Sequence, residues 1–141
     1  MANVIIDTAK AATIAYNEKN WDKARAVLVE KAIYDEKATG RRLQGVNQII
    51  EAWQGWAKAI PDSKARFVAE YASGDTAVLE VIWKGVHTGP LQMPTGTIPA
   101  SNKSIEIPAC QVVKVAGGQV QSFTHYFDMV TLLTQIGAFK G

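Results

Sequence analysis

The chain has 141 residues, 48% of them hydrophobic and 20% charged, with a formal net charge of +2. That length closes a core without disulfides or metal, and so small a net charge excludes the basic footprint of a nucleic-acid or anionic-membrane binder. A single cysteine, Cys110, excludes an intrachain disulfide, and with His87 and His125 it shows no metal-ligand spacing.

Asp7 and Lys10 interrupt the first apolar run and no basic stretch precedes it, so no signal peptide is expected. No run reaches the roughly 18–20 apolar residues of a membrane span. The expectation is a cytoplasmic protein with no metal. Of the charged side chains, 20 fall in residues 1–70 and 8 in residues 71–141. Solvated amphipathic helices should therefore come first and a largely buried sheet second, in one α+β domain over residues 1–141.

Ile5, Ala9, Ala12, Thr13 and Tyr16 form one stripe at helical spacing over residues 4–19. Asn20 can cap a short helix from Trp21 to Leu28. Strand-like pieces follow around Ala32-Ile33-Tyr34 and Arg41-Arg42-Leu43. Val46, Ile49, Ile50, Trp53, Ala57 and Ile60 mark the clearest helix, which Pro61 stops. Phe67, Ala69 and Tyr71 alternate with Val68 and Glu70 up to a turn at Ser73-Gly74-Asp75. In the long strand 76–87 the odd positions, Ala77 to His87, make an apolar face ending in a histidine. Residues 88–101, with three prolines and two glycines, read as a loop. Strands 104–115 and 119–127 flank Gly117-Gly118, a two-residue hairpin signal. Met129, Leu132, Leu133 and Ile136 make a last helix, with Gly137 as its cap.

The hairpin sets the site. With a two-residue loop Ala116 faces Gln119, Gln111 faces Thr124, Ala109 faces Tyr126 and Ile107 faces Asp128. A bulge would shift this register by one. Unshifted, one face holds Ile107, Ala109, Gln111, Val113, Thr124, Tyr126 and Asp128, apolar with a few convergent polar groups, as in a small-molecule pocket. The other holds Val112, Phe123, His125 and Phe127, a surface on which two copies would pair as a homodimer. An aspartate on the first face is a candidate general acid/base. Asp128 also precedes Met129, where it would cap the last helix. His87, at a strand end beside the loop, is either an acid/base or hydrogen-bonding group, or a histidine satisfied by backbone. Trp53 and Trp56 read as helix-to-sheet packing, or as walls for a flat ligand. Tyr16, Met93, Thr124 and Tyr126 complete the candidate ligand contacts. A cavity of roughly 300 Å³ or more lined by Asp128, Gln111 and His87 is the structural expectation.

The order of these parts resembles the cone-shaped α+β fold of the nuclear transport factor 2 family, in which N-terminal helices pack on a strongly curved antiparallel sheet. Within it, the sequence is most similar to the SnoaL-like polyketide cyclases, also called ester cyclases. The resembling residues are Tyr16-Asn17-Glu18-Lys19-Asn20-Trp21-Asp22, Gly45, Ala59-Ile60-Pro61-Asp62, Gly85-Val86-His87-Thr88-Gly89-Pro90, Ile98-Pro99-Ala100, Lys103, Tyr126-Phe127-Asp128 and Leu132-Leu133-Thr134-Gln135-Ile136-Gly137. Where the family often has Thr-Gly after Pro-Ala, this chain has Ser101-Asn102. The resemblance implies a cofactor-free intramolecular aldol cyclisation of a polyketide ester, with a small hydrophobic or aromatic carbonyl-containing ligand as the expected partner. Asp128 would be the acid/base, Gln111 the assisting polar residue, and His87 would match a histidine frequent in the family. Other enzymes on this scaffold (isomerase, dehydratase, epoxide hydrolase), a non-catalytic small-molecule binder and a protein–protein module are the alternatives.

Overall fold

The computed structural model describes residues 2–139. Helices α1 (Ala2–Glu18) and α2 (Trp21–Val27) lead into strands β1 (Leu28–Glu36) and β2 (Arg41–Gln44) and helix α3 (Val46–Ala59). Strands β3 (Lys64–Ser73) and β4 (Thr76–Val86) follow, then a small hairpin, β5 (Leu91–Met93) and β6 (Gly96–Ile98). Strands β7 (Ser104–Ala116) and β8 (Gln119–Phe127) and helix α4 (Met129–Gln135) close the chain. Asn20 caps α2 by accepting from the Lys23 N–H at 3.1 Å. Leu28 is already extended, so α2 runs into β1 without a loop. The segment 88–101, expected as loop throughout, folds back on itself as β5 and β6.

Six strands form one sheet in the order β2-β1-β8-β7-β4-β3. Pairing is antiparallel except between β1 and β8, which run parallel. The curved sheet takes α1 against β3, β4, β7 and β8, and α3 against β1. This is the α+β architecture the sequence pattern implies, in the cone shape that the family resemblance implies. Ala9, Ala12 and Ala15 are fully buried on α1, so the helix sits close against the strands. On β4, Ala77, Leu79 and Val81 face inward as alternation requires, and His87, just past the strand's end, is buried as well. No helix among the described residues is long and apolar enough to cross a membrane.

Two bulges correct the expected faces. On β3, Phe67 pairs with Val81 but Ala69 with Glu80, so Val68 is an extra residue and Tyr71 turns to solvent. On β8, Val115 pairs with Val120 but Lys114 with Ser122, so Gln121 is extra. Every pair beyond it moves by one: Gln111 faces His125, Cys110 faces Tyr126 and Ala109 faces Phe127. The face that points into the cone therefore carries Phe123, His125 and Phe127. Thr124 and Tyr126 lie on the outer face, Tyr126 being 47% exposed. Of the four residues assigned to a self-association surface, only Val112 faces outward.

The open end of the cone is filled by a second apolar cluster. Ala59 and Ile60 from α3, Leu91 from β5, Ile105 and Ile107 from β7, and Leu132 and Ile136 from α4 are buried together there. Two glycines allow this closure. A Cβ on Gly85 would run into the Ile60 side chain, and a Cβ on Gly89 into the Lys58 carbonyl oxygen. The Gly89 N–H also donates to the Ala59 carbonyl at 3.0 Å, which pins the start of the β5 segment to the end of α3. Gly89→Ala should therefore destabilise the fold by about 1–3 kcal/mol, the usual cost of overpacking. Chemical denaturation would measure this, and an unchanged midpoint would refute the contact.

Candidate functional site

The interior of the cone holds a cavity of about 70 Å³ between α1, α3 and the sheet. Its wall is aromatic: Tyr16 from α1, Trp53 and Trp56 from α3, Trp83 from β4, and Phe123 and Phe127 from β8. These rings hold one another edge-on. Tyr16 meets Trp83 at 5.2 Å between centroids, and Trp56 meets Phe127 at 5.7 Å. Ile60, Ile105, Ile107 and Leu132 close one end. The space is smaller than the expected cavity and has room for a few waters or one small ring.

Few polar groups reach this wall, and each is held in place. Gln111 is fully buried on β7, and its Oε1 accepts from the Thr13 hydroxyl at 2.9 Å. Its Nε2 has no hydrogen-bond partner. Two other buried side-chain nitrogens among the described residues are unpartnered, Arg41 Nε and His87 Nε2, and neither residue lines the cavity. Tyr16 shares a 2.6 Å hydrogen bond with Ser63, and burial pushes its phenol up to about 12.

His125 is the titratable centre of the wall. Trp83 donates its indole N–H to His125 Nε2 at 3.3 Å, and His125 Nδ1 lies 3.0 Å from the Tyr34 hydroxyl. That hydroxyl donates to the Glu36 carboxylate at 2.8 Å. Having given its only proton to Glu36, Tyr34 must accept from His125, so Nδ1 carries the imidazole proton. The Trp83 contact at the other nitrogen requires the same tautomer. Burial pushes the His125 imidazolium down to about 4, against the opposing pull of Glu36, so the ring is neutral at pH 7. Burial also holds the Tyr34 phenol well above its ordinary value, with the Glu36 charge adding to it.

Glu36 is fully buried at the end of β1, just behind the cavity wall. Oε1 accepts from Thr39 at 2.6 Å and Arg41 at 3.2 Å; Oε2 accepts from Tyr34 and from the Trp56 indole at 3.0 Å. Four donors, one of them cationic, offset the cost of burying the charge.

Of the residues expected at the site, Gln111, Tyr16, Trp53 and Trp56 line the cavity. Met93 packs in the apolar cluster at the open end, and Thr124 and Tyr126 are on the far face of β8. Asp128 is exposed beyond the bulge. It caps α4 through both oxygens, accepting from the Thr131 N–H at 3.0 Å and the Thr131 hydroxyl at 2.6 Å. The Thr131 hydroxyl, then its N–H, holds the Asp128 carboxyl below the ordinary aspartate value, the opposite of what burial in an apolar cavity does to an acid. His87 is buried away from the cavity. Its Nδ1 accepts from the Ser101 N–H at 3.2 Å and lies 2.9 Å from the Ser101 hydroxyl, which ties the end of β4 to the returning loop. Burial lowers its pKa, with a Gly89 backbone contact opposing. Tyr34, Glu36, Ser63, Trp83 and His125 were not anticipated here. No group of three or more His, Cys, Asp or Glu among the described residues could hold a metal ion.

The sequence model of the SnoaL-like polyketide cyclase family matches residues 6–136. No curated protein matches the chain in sequence. Among solved structures, a protein described as a candidate SnoaL-like polyketide cyclase from Jannaschia sp. CCS1 superposes with a TM-score of 0.87 at 17% identity, over 99% of this chain and 95% of that one. TsrD from Streptomyces laurentii gives 0.83 at 20% identity, over 99% and 98%. A Catenulispora acidiphila protein with a ketosteroid isomerase-like fold, in complex with trimethylamine, gives 0.76 at 21% identity, over 94% and 92%. At these identities the likeness establishes the fold.

Two outcomes follow from the site's geometry. From pH 6.5 down to about 4 the unfolded chain binds a proton at His125 that the folded chain refuses, so stability is lost as pH falls through that window. The gap corresponds to about 3 kcal/mol. His125→Gln should shrink the difference in unfolding free energy between about pH 4.5 and pH 7; an undiminished difference would assign the acid sensitivity elsewhere. Asp128→Asn, which keeps a cap acceptor, should melt near wild type, whereas Asp128→Ala should melt lower. Equal melting of all three would count against the cap.

Proposed function

The chain belongs to the SnoaL-like polyketide cyclase family, and from that premise we propose that its cavity binds a compact, largely aromatic carbonyl compound and moves a proton at the carbon beside the carbonyl. Gln111 carries this reading. Its Nε2 is a buried donor without a partner in an otherwise aromatic wall, and leaving such a donor unpaired costs about 1–3 kcal/mol. A ligand oxygen placed against it recovers that cost. The Thr13 hydroxyl holds the amide by its oxygen, which leaves the Nε2 hydrogens free for a ligand.

The same N–H suits an enolate oxygen better than a ketone oxygen, because a fixed donor is stronger toward developing negative charge in a water-poor site. His125, cross-strand from Gln111, supplies the base. Its ring lines the cavity beside Trp83, whose indole N–H its Nε2 lone pair accepts, and the ring is neutral. A proton leaving the ligand's α-carbon for His125 and returning to a newly formed alkoxide would complete an aldol-type ring closure. This route asks only for acid/base groups and a fitted apolar wall. Orientation in that wall must supply much of the acceleration, since general acid/base catalysis contributes about 10²–10⁴-fold. The Catenulispora protein's complex with trimethylamine, itself a compact molecule, is in keeping with a small ligand in this fold.

The test uses acetophenone deuterated at the methyl carbon. Binding is followed by quenching of the cavity tryptophans, and loss of deuterium by NMR. Wild type should bind it and accelerate the exchange. Gln111→Leu should weaken binding about 3- to 10-fold and slow exchange about 10²-fold. Exchange at the wild-type rate in Gln111→Leu would remove Gln111 from the chemistry. Tight binding with no acceleration in wild type would instead favour a non-catalytic small-molecule carrier.

A further inference from the structure

We propose that Glu36, through Tyr34, is the terminal proton acceptor of the cavity, so that His125 hands a ligand's proton on without itself becoming a cation. The inference rests on the reading above, in which a ligand oxygen meets Gln111 and a ligand proton meets His125. It stands on the direction of three hydrogen bonds. The Trp83 N–H points at His125 Nε2, His125 Nδ1–H points at the Tyr34 oxygen, and the Tyr34 O–H points at Glu36 Oε2, at 3.3, 3.0 and 2.8 Å. All three donate in the same sense, from the cavity toward the carboxylate.

The balance of the step is simple. A ligand C–H or O–H bond breaks and Nε2–H forms. Nδ1–H breaks as a new Tyr34 O–H forms, and the original Tyr34 O–H breaks as Glu36 Oε2–H forms. The ligand ends as an anion, Glu36 as a neutral acid, and His125 and Tyr34 are both neutral again, the imidazole having exchanged one tautomer for the other. No charge is created or lost in the buried region; one negative charge moves from Glu36 to the ligand. That matters because the ring is poorly placed to hold a charge of its own. Phe123 and Phe127 crowd it, at 5.7 and 5.0 Å between centroids.

Each neighbour has a part. Trp83 occupies Nε2 at a length that is long for an N–H···N bond, and a ligand proton donor would take its place. Arg41 and Thr39 hold Oε1, and Trp56 shares Oε2 with Tyr34, so the carboxylate stays oriented as its charge changes. The charged and titratable groups that face the relay are Glu36, Arg41, Tyr34 and His125. Tyr34 and Glu36 are positioning residues in this scheme, since they act on the ligand only through His125.

The probe is 4-nitrophenol, a ring of suitable size whose phenolate absorbs differently from the phenol. Its oxygen stands for the enolate oxygen between Gln111 and His125. About one pH unit below its solution pKa, wild type should bind it as phenolate without releasing a proton to the buffer, followed with a pH indicator. His125 should then appear by nitrogen NMR as the neutral Nε2–H tautomer. Tyr34→Phe keeps the ring and breaks the relay, so it should bind within about 3-fold of wild type but hold the neutral phenol. Glu36→Gln should do the same if it folds. Phenolate bound equally by Tyr34→Phe, or an imidazolium at His125 in the wild-type complex, overturns the relay, as does neutral phenol bound by wild type. No binding by wild type would sink the ligand reading itself, and the relay with it.

Discussion

The site depends on one extra residue in β8. Gln121 is left out of the β7–β8 ladder, and every residue beyond it changes face. Without that bulge Asp128 would look into the cone, and His125 with its two phenylalanines would look out. With it, a neutral imidazole stands cross-strand from Gln111, and the strand-end aspartate is delivered to the first turn of α4. The partner strand is irregular at the same level: β1 pairs Leu28 with Val120 and then Ile33 with Ser122, so four residues of β1 pass one residue of β8. Two aligned irregularities bend the sheet where it wraps the helices, and the bend is what makes room for a cavity.

Much of this was legible in the sequence, and the failures share a cause. Helical stripes with strong periodicity, such as Val46 to Ile60, and clean alternation, such as Ala77 to His87, identify themselves. A bulge breaks periodicity by a single residue, and its trace is small. In β8 the trace is the polar pair Gln121-Ser122, which separates Val120 from Phe123 by three positions where a regular strand needs two. In β3 it is Phe67-Val68-Ala69, with Val68 half-exposed beside an inward Phe67. Glu36 was missed for a different reason. The charge-rich first half reads as solvated surface, yet Ala32, Tyr34 and Glu36 keep strict alternation on β1 and are all buried. An acid in phase with a tyrosine on a strand is the signal that a charge count discards.

The two carboxylates illustrate how environment divides roles. Asp128 is exposed and bonded to a helix N-terminus, an arrangement that favours its ionised form and keeps it from taking up protons near neutral pH. Glu36 is buried and served by four donors, one of which is the relay to His125. Removing water from around Glu36 makes each of those bonds stronger and makes losing any of them costly. The direction of the hydrogen bonds in that network is what gives the resting His125 one tautomer.

Asp128 still bears on the cavity, but through packing. It fixes the first turn of α4, and α4 carries Leu132 into the cavity end and Ile136 into the cluster that plugs the cone. Gly89 and Gly85 let the β5 segment and the end of α3 close on the same cluster. The cavity is small because this plug is seated. A ligand larger than one ring must displace Leu132 and its neighbours, which means moving a seven-residue helix held by an apolar face, a cap and the paired hydrogen bonds of Gln135 with the Glu106 backbone. The size of ligand the cavity can take and the stability of α4 are thus coupled, and the strand-end aspartate bears on the cavity through the helix it caps.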